Sequence, residues 1–229
     1  MRLEKGALLI KMEYNATHTS QDRDYWNQYY ARGTCPTEPS DFARYALTWM
    51  EPNRILVDLG CGNGRDALFF AQNHLHVIAV DLSDEAISAL HKHSSDTFIP
   101  MLDDFVQSSI HRPNSYDYAY SRFTLHAIDE AQGGELIRNV FYGLKVNGRF
   151  FIEVRGTNDP LFGLGQRIGK NTFIYNGHSR RFLVLEELIE TLTAVGFNIE
   201  YAAEQSGFAA YHDDDPPVIR VVAAKLAAG

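Results

Sequence analysis

Residues 57–66 read VDLGCGNGRD, and these residue types at this spacing suit a ligand cradle. Gly60, Gly62 and Gly64 are spaced by two, so the backbone can turn tightly and approach a ligand closely. Asp58 stands ahead of the turn, where its carboxylate can face an ammonium group. Asp81 ends the run VIAVD and can accept both hydroxyls of a ribose. Asp104 and Phe105, in LDDF, can meet the edge and the face of an adenine. A dinucleotide fingerprint needs another small residue five positions after its first glycine, and here that position is Arg65. No Walker lysine follows the turn, which disfavours ATP and GTP. The ligand that fits carries an adenosine and no phosphate.

Such residues must be held at strand ends, and the pattern supplies strands. ILVDLG, HVIAVDL, TFIPML, YDYAYS and GRFFIEVR are short apolar runs, each read as a buried strand. GRDALFFAQN, DEAISALHKH, EAQGGELIRNVFYGL and VLEELIETLTAVG read as helices between or after them. Ser83 caps the second of these, and Gly196 ends the last. FNIEYAAE and PVIRVVAAK follow with no helix between them, which predicts an antiparallel pair. The expected fold is α/β, with a mostly parallel sheet covered on both faces. Ahead of it, residues 20–32 and 40–50 read as helices, with Ser40 capping the second. The expected organisation is a helical cap over residues 1–50 and a main domain over 51–229. Residues 156–182 fit neither pattern and read as an insertion at the carboxyl edge of the sheet.

The chain has 229 residues, enough for one large domain with an added cap. Its net charge of −8 argues against broad electrostatic binding to nucleic acid or acidic membranes. Cys35 and Cys61 cannot build a disulfide framework, which predicts a reducing, cytoplasmic setting. No apolar run approaches membrane-span length.

VDLGCGNGRD, AVDLS, LDDF and YDYAYSRFTLHAI, in that order and spacing, resemble motifs I to IV of class I S-adenosylmethionine-dependent methyltransferases. The resemblance covers roughly residues 50–229. It implies a Rossmann-like, doubly wound sheet of seven strands in the order 3-2-1-4-5-7-6, with strand 7 antiparallel. It implies S-adenosylmethionine as cofactor and S-adenosylhomocysteine as product. Gly60, Cys61 and Gly62 would then line the methionine part, Cys61 for its size and not its thiol. Asp81 would hold the ribose, and Leu82, Asp104 and Phe105 would surround the adenine. Ser121 and Arg122 would sit beside the methionine part.

The acceptor side is less tightly specified. His126, in SRFTLHAI, is the candidate base for a hydroxyl acceptor. Arg155 leads into the insertion, which carries His178, Arg180 and Arg181, and guanidinium groups over a cleft suit a carboxylate or phosphate. NGHSRRF also resembles a branch of the family associated with polysaccharide and natural-product pathways, which points to a sugar-like acceptor. Tyr25, Trp26, Tyr29 and Tyr30 form an aromatic stripe on the first helix that can wall off a sulfonium. Within it, Trp26 and Tyr30 are assigned to the cofactor and Tyr29 to the substrate. Arg32 can pair with the methionine carboxylate. YHDDDPP reads as a solvated loop and not as a metal site. The expected activity is methylation of a small molecule, first at oxygen, with nitrogen and sulfur open, by a monomer or homodimer. An oxidoreductase using a nicotinamide cofactor and a non-catalytic S-adenosylmethionine-binding protein stand as alternatives.

Overall fold

The computed structural model describes residues 23–211 and 214–227. The first part of the expected cap, residues 1–22, lies outside the described residues, as do His212 and Asp213 of the expected solvated loop.

Helix α1 covers residues 23–31 and α2 covers Asp41–Leu47. Ser40 caps α2 through its hydroxyl, which accepts from the Ala43 amide at 3.0 Å. Strands and helices then alternate: β1 Ile55–Leu59, α3 Arg65–Gln72, β2 His76–Asp81, α4 Asp84–Leu90, β3 Phe98–Leu102, β4 Tyr116–Arg122, α5 Glu130–Gly143 and β5 Leu144–Arg155. Three short strands follow: β6 Gln166–Gly169, β7 Thr172–Tyr175 and β8 His178–Arg181. The chain closes with α6 Leu185–Val195, β9 Asn198–Gln205 and β10 Val218–Ala224.

The main sheet has seven strands in the order β3-β2-β1-β4-β5-β10-β9. Counted within that sheet, this is the expected 3-2-1-4-5-7-6. The last strand runs antiparallel to both its neighbours, as expected. The insertion differs from the expectation in detail. It folds as a separate three-stranded antiparallel sheet, β6-β7-β8.

Alternation along the strands divides the core between two faces. Val57, Ala119, Phe150 and Ile152 point to one side, against Leu136 and Val140 of α5 and Leu188 and Leu192 of α6. Leu56, Tyr120, Phe151 and Val222 point to the other, against Phe42 of α2, Phe70 of α3 and Ile87 of α4. With both faces covered, the strands read as continuous apolar runs, and the ligand-binding surface falls at their carboxyl edge.

Candidate functional site

The turn after β1 has the backbone its glycines permit. Gly60, Gly62 and Gly64 all have positive φ, at 75°, 55° and 76°. A Cβ on Gly60 would overlap the Thr124 side chain, and one on Gly62 would overlap the Tyr30 ring. Asp81 ties the turn to β2. One carboxylate oxygen accepts from the Gly62 amide and the other from the Ser83 amide, each at 2.8 Å. A carboxylate has about four acceptor positions, so Asp81 keeps acceptor capacity for a ligand hydroxyl. Burial raises its carboxyl above the ordinary range, and the amides of Ser83, Gly62 and Leu82 oppose that. Asp58 is buried below the turn. Burial pushes its carboxyl well up, Asp66 and Asp81 add to the push, and Arg122 opposes it. A cation beside Asp58 would relieve this crowding of negative charge.

These residues line one end of a cleft of about 590 Å³. Leu82, Asp104 and Phe105 line the same end. The residue pattern did not reveal two supports for it. His111 bridges the Phe105 carbonyl at 2.8 Å and the Tyr116 hydroxyl at 2.9 Å, fixing the loop that carries Phe105. Asp66 accepts from the Ser40 amide and hydroxyl, each at 2.7 Å, and from the Tyr120 hydroxyl at 2.8 Å. That carboxylate joins α2, α3 and β4 at the cleft wall. Its only sequence signal was a polar residue in the first turn of a helix.

The other end of the cleft is assembled from distant segments. Tyr25, Trp26 and Tyr29 of α1 line it, with Arg122, His126, Arg155, His178 and Arg180, while Tyr30 closes over Gly62 at the first end. Tyr25 stacks flat on His178, with ring centroids 4.7 Å apart and planes at 12°. Trp26 meets the same imidazole edge-on at 5.1 Å. The stretch expected to be a solvated loop contributes Tyr211, Asp214 and Pro216 to the wall, with Phe208 just ahead of it. Among the described residues, no group of three or more His, Cys, Asp or Glu is arranged to hold a metal ion.

Three expected site residues lie elsewhere. Arg32 is exposed in the turn after α1 and does not line the cleft. Ser121 is buried within β4, its hydroxyl engaged with Thr124, and it does not line the cleft either. Arg181 points away because neighbours on a strand face opposite sides. His178 and Arg180 face the cleft, whereas Ser179 and Arg181 face a second cavity between α5, α6 and the small sheet. Arg181 there donates to the carbonyls of Ile128 at 3.1 Å and Leu125 at 3.0 Å, so it braces the segment that carries His126. Cys61 is a small buried residue at the turn, as expected, and burial pushes its thiol up.

Charge at this end is set by arginine. Arg155 pairs with Asp159, and Arg122 donates to Glu153 at 2.9 Å. Arg180 has no carboxylate of a described residue within ion-pair distance and donates only to the Tyr175 carbonyl at 3.5 Å. Burial, followed by Arg155, His178, Arg180 and Arg181, holds the His126 imidazole well below its ordinary range. Burial and Arg180 lower His178 to about 4. Both rings are therefore neutral near pH 7, and a neutral imidazole can accept a proton.

A family model described as a methyltransferase domain matches residues 25–202. No curated protein matches the chain significantly. Among solved structures, the chain is similar to the 1,6-didemethyltoxoflavin-N1-methyltransferase of Burkholderia thailandensis, which holds 1,6-didemethyltoxoflavin and S-adenosylhomocysteine. The TM-score is 0.72 at 19% identity, over 94% of this chain and 90% of that one. It is similar to a SAM-dependent methyltransferase of Methanosarcina mazei, with a TM-score of 0.70 at 18% identity, over 80% of this chain and 98% of that one. The [4+2]-cyclase SpnF shares the fold as well, with a TM-score of 0.65 at 16% identity, over 85% and 86% of the two chains.

Proposed function

We propose, from the premise that this chain belongs to the methyltransferase-domain family, that it transfers a methyl group from S-adenosylmethionine to an oxygen of a small-molecule acceptor. When bound, the cofactor supplies an activated methyl whose bonding pair returns to sulfur as the acceptor oxygen takes the carbon. The chain's residues hold, align and exclude water. Gly60 and Gly62 admit the methionine part, Asp58 faces its ammonium, and Asp81 takes the ribose hydroxyls. Leu82, Asp104 and Phe105 enclose the adenine. Tyr30 and Trp26 roof the methionine part, and Tyr29 faces the acceptor. The expected acceptor is sugar-like or anionic, with Arg180 as its anion receptor and His126 as the base for a hydroxyl. Alignment alone contributes about 7–11 kcal/mol in favourable cases, so little further chemistry is asked of the protein.

One observation carries this reading. The glycine turn with its carboxylates and the His126–Arg180 end line a single continuous cleft, so a methyl held at one end meets an acceptor at the other. A nicotinamide cofactor is disfavoured by Arg65 at the third small position, and the family match points the same way. The likeness to a cyclase favours a second reading, in which the cofactor binds and no methyl moves. Release of S-adenosylhomocysteine with a pool of acceptors separates the two.

The cofactor assignment is tested by calorimetry with S-adenosylhomocysteine on the wild type and on Asp81→Ala. Loss of two charge-assisted hydrogen bonds predicts affinity weaker by about a hundredfold. Unchanged affinity would remove Asp81 from the ribose.

A further inference from the structure

Two buried imidazoles share the acceptor end, and each has a nitrogen without a partner. His126 Nδ1 and His178 Nε2 make no hydrogen bond among the described residues, although the residues are only 5% and 4% exposed. Both residues line the cleft, with ring centroids 6.4 Å apart. Neither ring is loose. His178 lies under Tyr25 and against Trp26, and His126 stacks on Phe123 at 5.5 Å. Neither ring makes any side-chain hydrogen bond among the described residues, and the nitrogens that are not enclosed, His126 Nε2 and His178 Nδ1, are the ones a polar group in the cleft would meet.

The protonation state narrows the class of ligand. A neutral imidazole offers one N–H and one lone pair. A carboxylate can only accept and an ammonium can only donate, whereas a hydroxyl does both. Two neutral imidazoles therefore suit hydroxyl oxygen. The charge of the site is complementary to something else. Arg155 is committed to Asp159, which leaves Arg180 as the cleft arginine at this end without a carboxylate among the described residues. One uncommitted guanidinium matches one negative charge, and a carboxylate supplies that charge with the two coplanar oxygens a guanidinium fork pairs with.

We propose that the acceptor is a hydroxy acid, a single small molecule whose hydroxyl lies against His126 and His178 and whose carboxylate is held by Arg180. This rests on the methyl-transfer reading above. As the hydroxyl oxygen becomes an ether, its proton passes to Nε2 of the neutral His126 imidazole, the ring nitrogen that is not enclosed. The arrangement has an internal logic. Burial first, and then the charges of Arg155 and Arg180 among others, keep His126 from taking a proton. A carboxylate on Arg180 cancels its charge, so the acceptor itself makes His126 a stronger base. The same carboxylate then favours the imidazolium that results.

The test reads binding to the protein saturated with S-adenosylhomocysteine. Calorimetry is run with glucuronate, salicylate and 4-hydroxybenzoate, their amides, benzoate as the carboxylate lacking a hydroxyl, and glucose 6-phosphate. At least one hydroxy acid should bind, with its amide weaker by about tenfold or more. Arg180→Gln should abolish the difference between acid and amide. His178→Phe keeps the stack on Tyr25 and should weaken the hydroxy acid while leaving benzoate unchanged. An amide that binds as well as its acid, a phosphate ester that binds more tightly, or no binding by any hydroxy acid would overturn the proposal and leave the methyl-transfer reading standing. Failure to bind S-adenosylhomocysteine would overturn both.

Discussion

At the cofactor end of the cleft, Asp81 reaches the amides of Gly62 and Ser83, which lie 19 and 2 positions away along the chain. At the acceptor end, Tyr25, His126, His178 and Phe208 line one cleft from across most of the chain's length. The first end is a backbone turn held by a buried carboxylate at the edge of a parallel sheet. The second is side chains stacked on one another, carried by α1, the small sheet and the β9–β10 connection. A site made of backbone is specified by a few glycines and carboxylates. A site made of stacked side chains depends on whatever clamps the separate segments together, so each end should fail independently of the other.

The largest expected effect comes from Arg220, which clamps the acceptor end. It sits opposite Glu153 in the strand register and is 5% exposed. Its Nε donates to Glu153 at 2.6 Å, while another nitrogen donates to the Phe208 carbonyl. Its guanidinium also lies 4.2 Å from the centre of the Phe208 ring. Glu153 in turn holds Arg122 on the cleft wall. Arg220→Met removes one cation from a buried carboxylate that retains the other, at a cost of about 3 kcal/mol. Urea unfolding should register that loss, and the amides of residues 207–211 should exchange faster. Affinity for S-adenosylhomocysteine should stay within about twofold. A fall at the cofactor end as large as the loss of stability would mean that the two ends are one unit.

A smaller effect separates the ends by pH. His178 titrates near 4 in the folded protein against 6.5 unfolded. Above 6.5 both states are neutral, and stability is complete. As pH falls from 6.5 toward 4 the unfolded chain binds the proton first, so stability is lost across that window and then levels off. At pH 5 the loss assigned to this ring is about 2 kcal/mol. Urea unfolding at pH 7 and pH 5 measures it, and His178→Phe should show a correspondingly smaller drop between the two. Equal drops in the two proteins would mean that His178 takes a proton in the fold as easily as in the unfolded chain.

The same contrast explains what the sequence made legible. The strands and the cofactor end follow from local signals, apolar runs, a glycine turn and acids at strand ends, while the strand order comes from the family resemblance those motifs carry. Asp58, Asp81, Leu82, Asp104 and Phe105 all reach the cleft. At the other end the candidates were named by residue type, and type does not set direction. Arg180 and Arg181 looked equivalent until β8 placed them on opposite faces. His111, Asp66 and Arg220 act through tertiary partners far along the chain, and nothing adjacent to them signals it. The β9–β10 connection reads as solvated because its aspartates are conspicuous, yet Phe208, Tyr211 and Asp214 all line the cleft.

Arg32 gives the smallest effect. Its type and its place beside the aromatic stripe suit a partner for the methionine carboxylate. Yet α1 ends at residue 31, and the next side chain is exposed beyond the helix's cleft-facing stripe. Trp26 and Tyr30, one helical turn apart, carry that stripe inward, and the Tyr30 ring closes against Gly62. Arg32→Ala should therefore change neither stability nor S-adenosylhomocysteine affinity by more than about 0.5 kcal/mol, the usual range for surface sites. A tenfold loss of affinity by calorimetry would place this guanidinium over the cofactor and would require α1 to shift along its axis when the ligand binds. In that case the cofactor end too would depend on a mobile side-chain element, and its independence from the acceptor end would be lost.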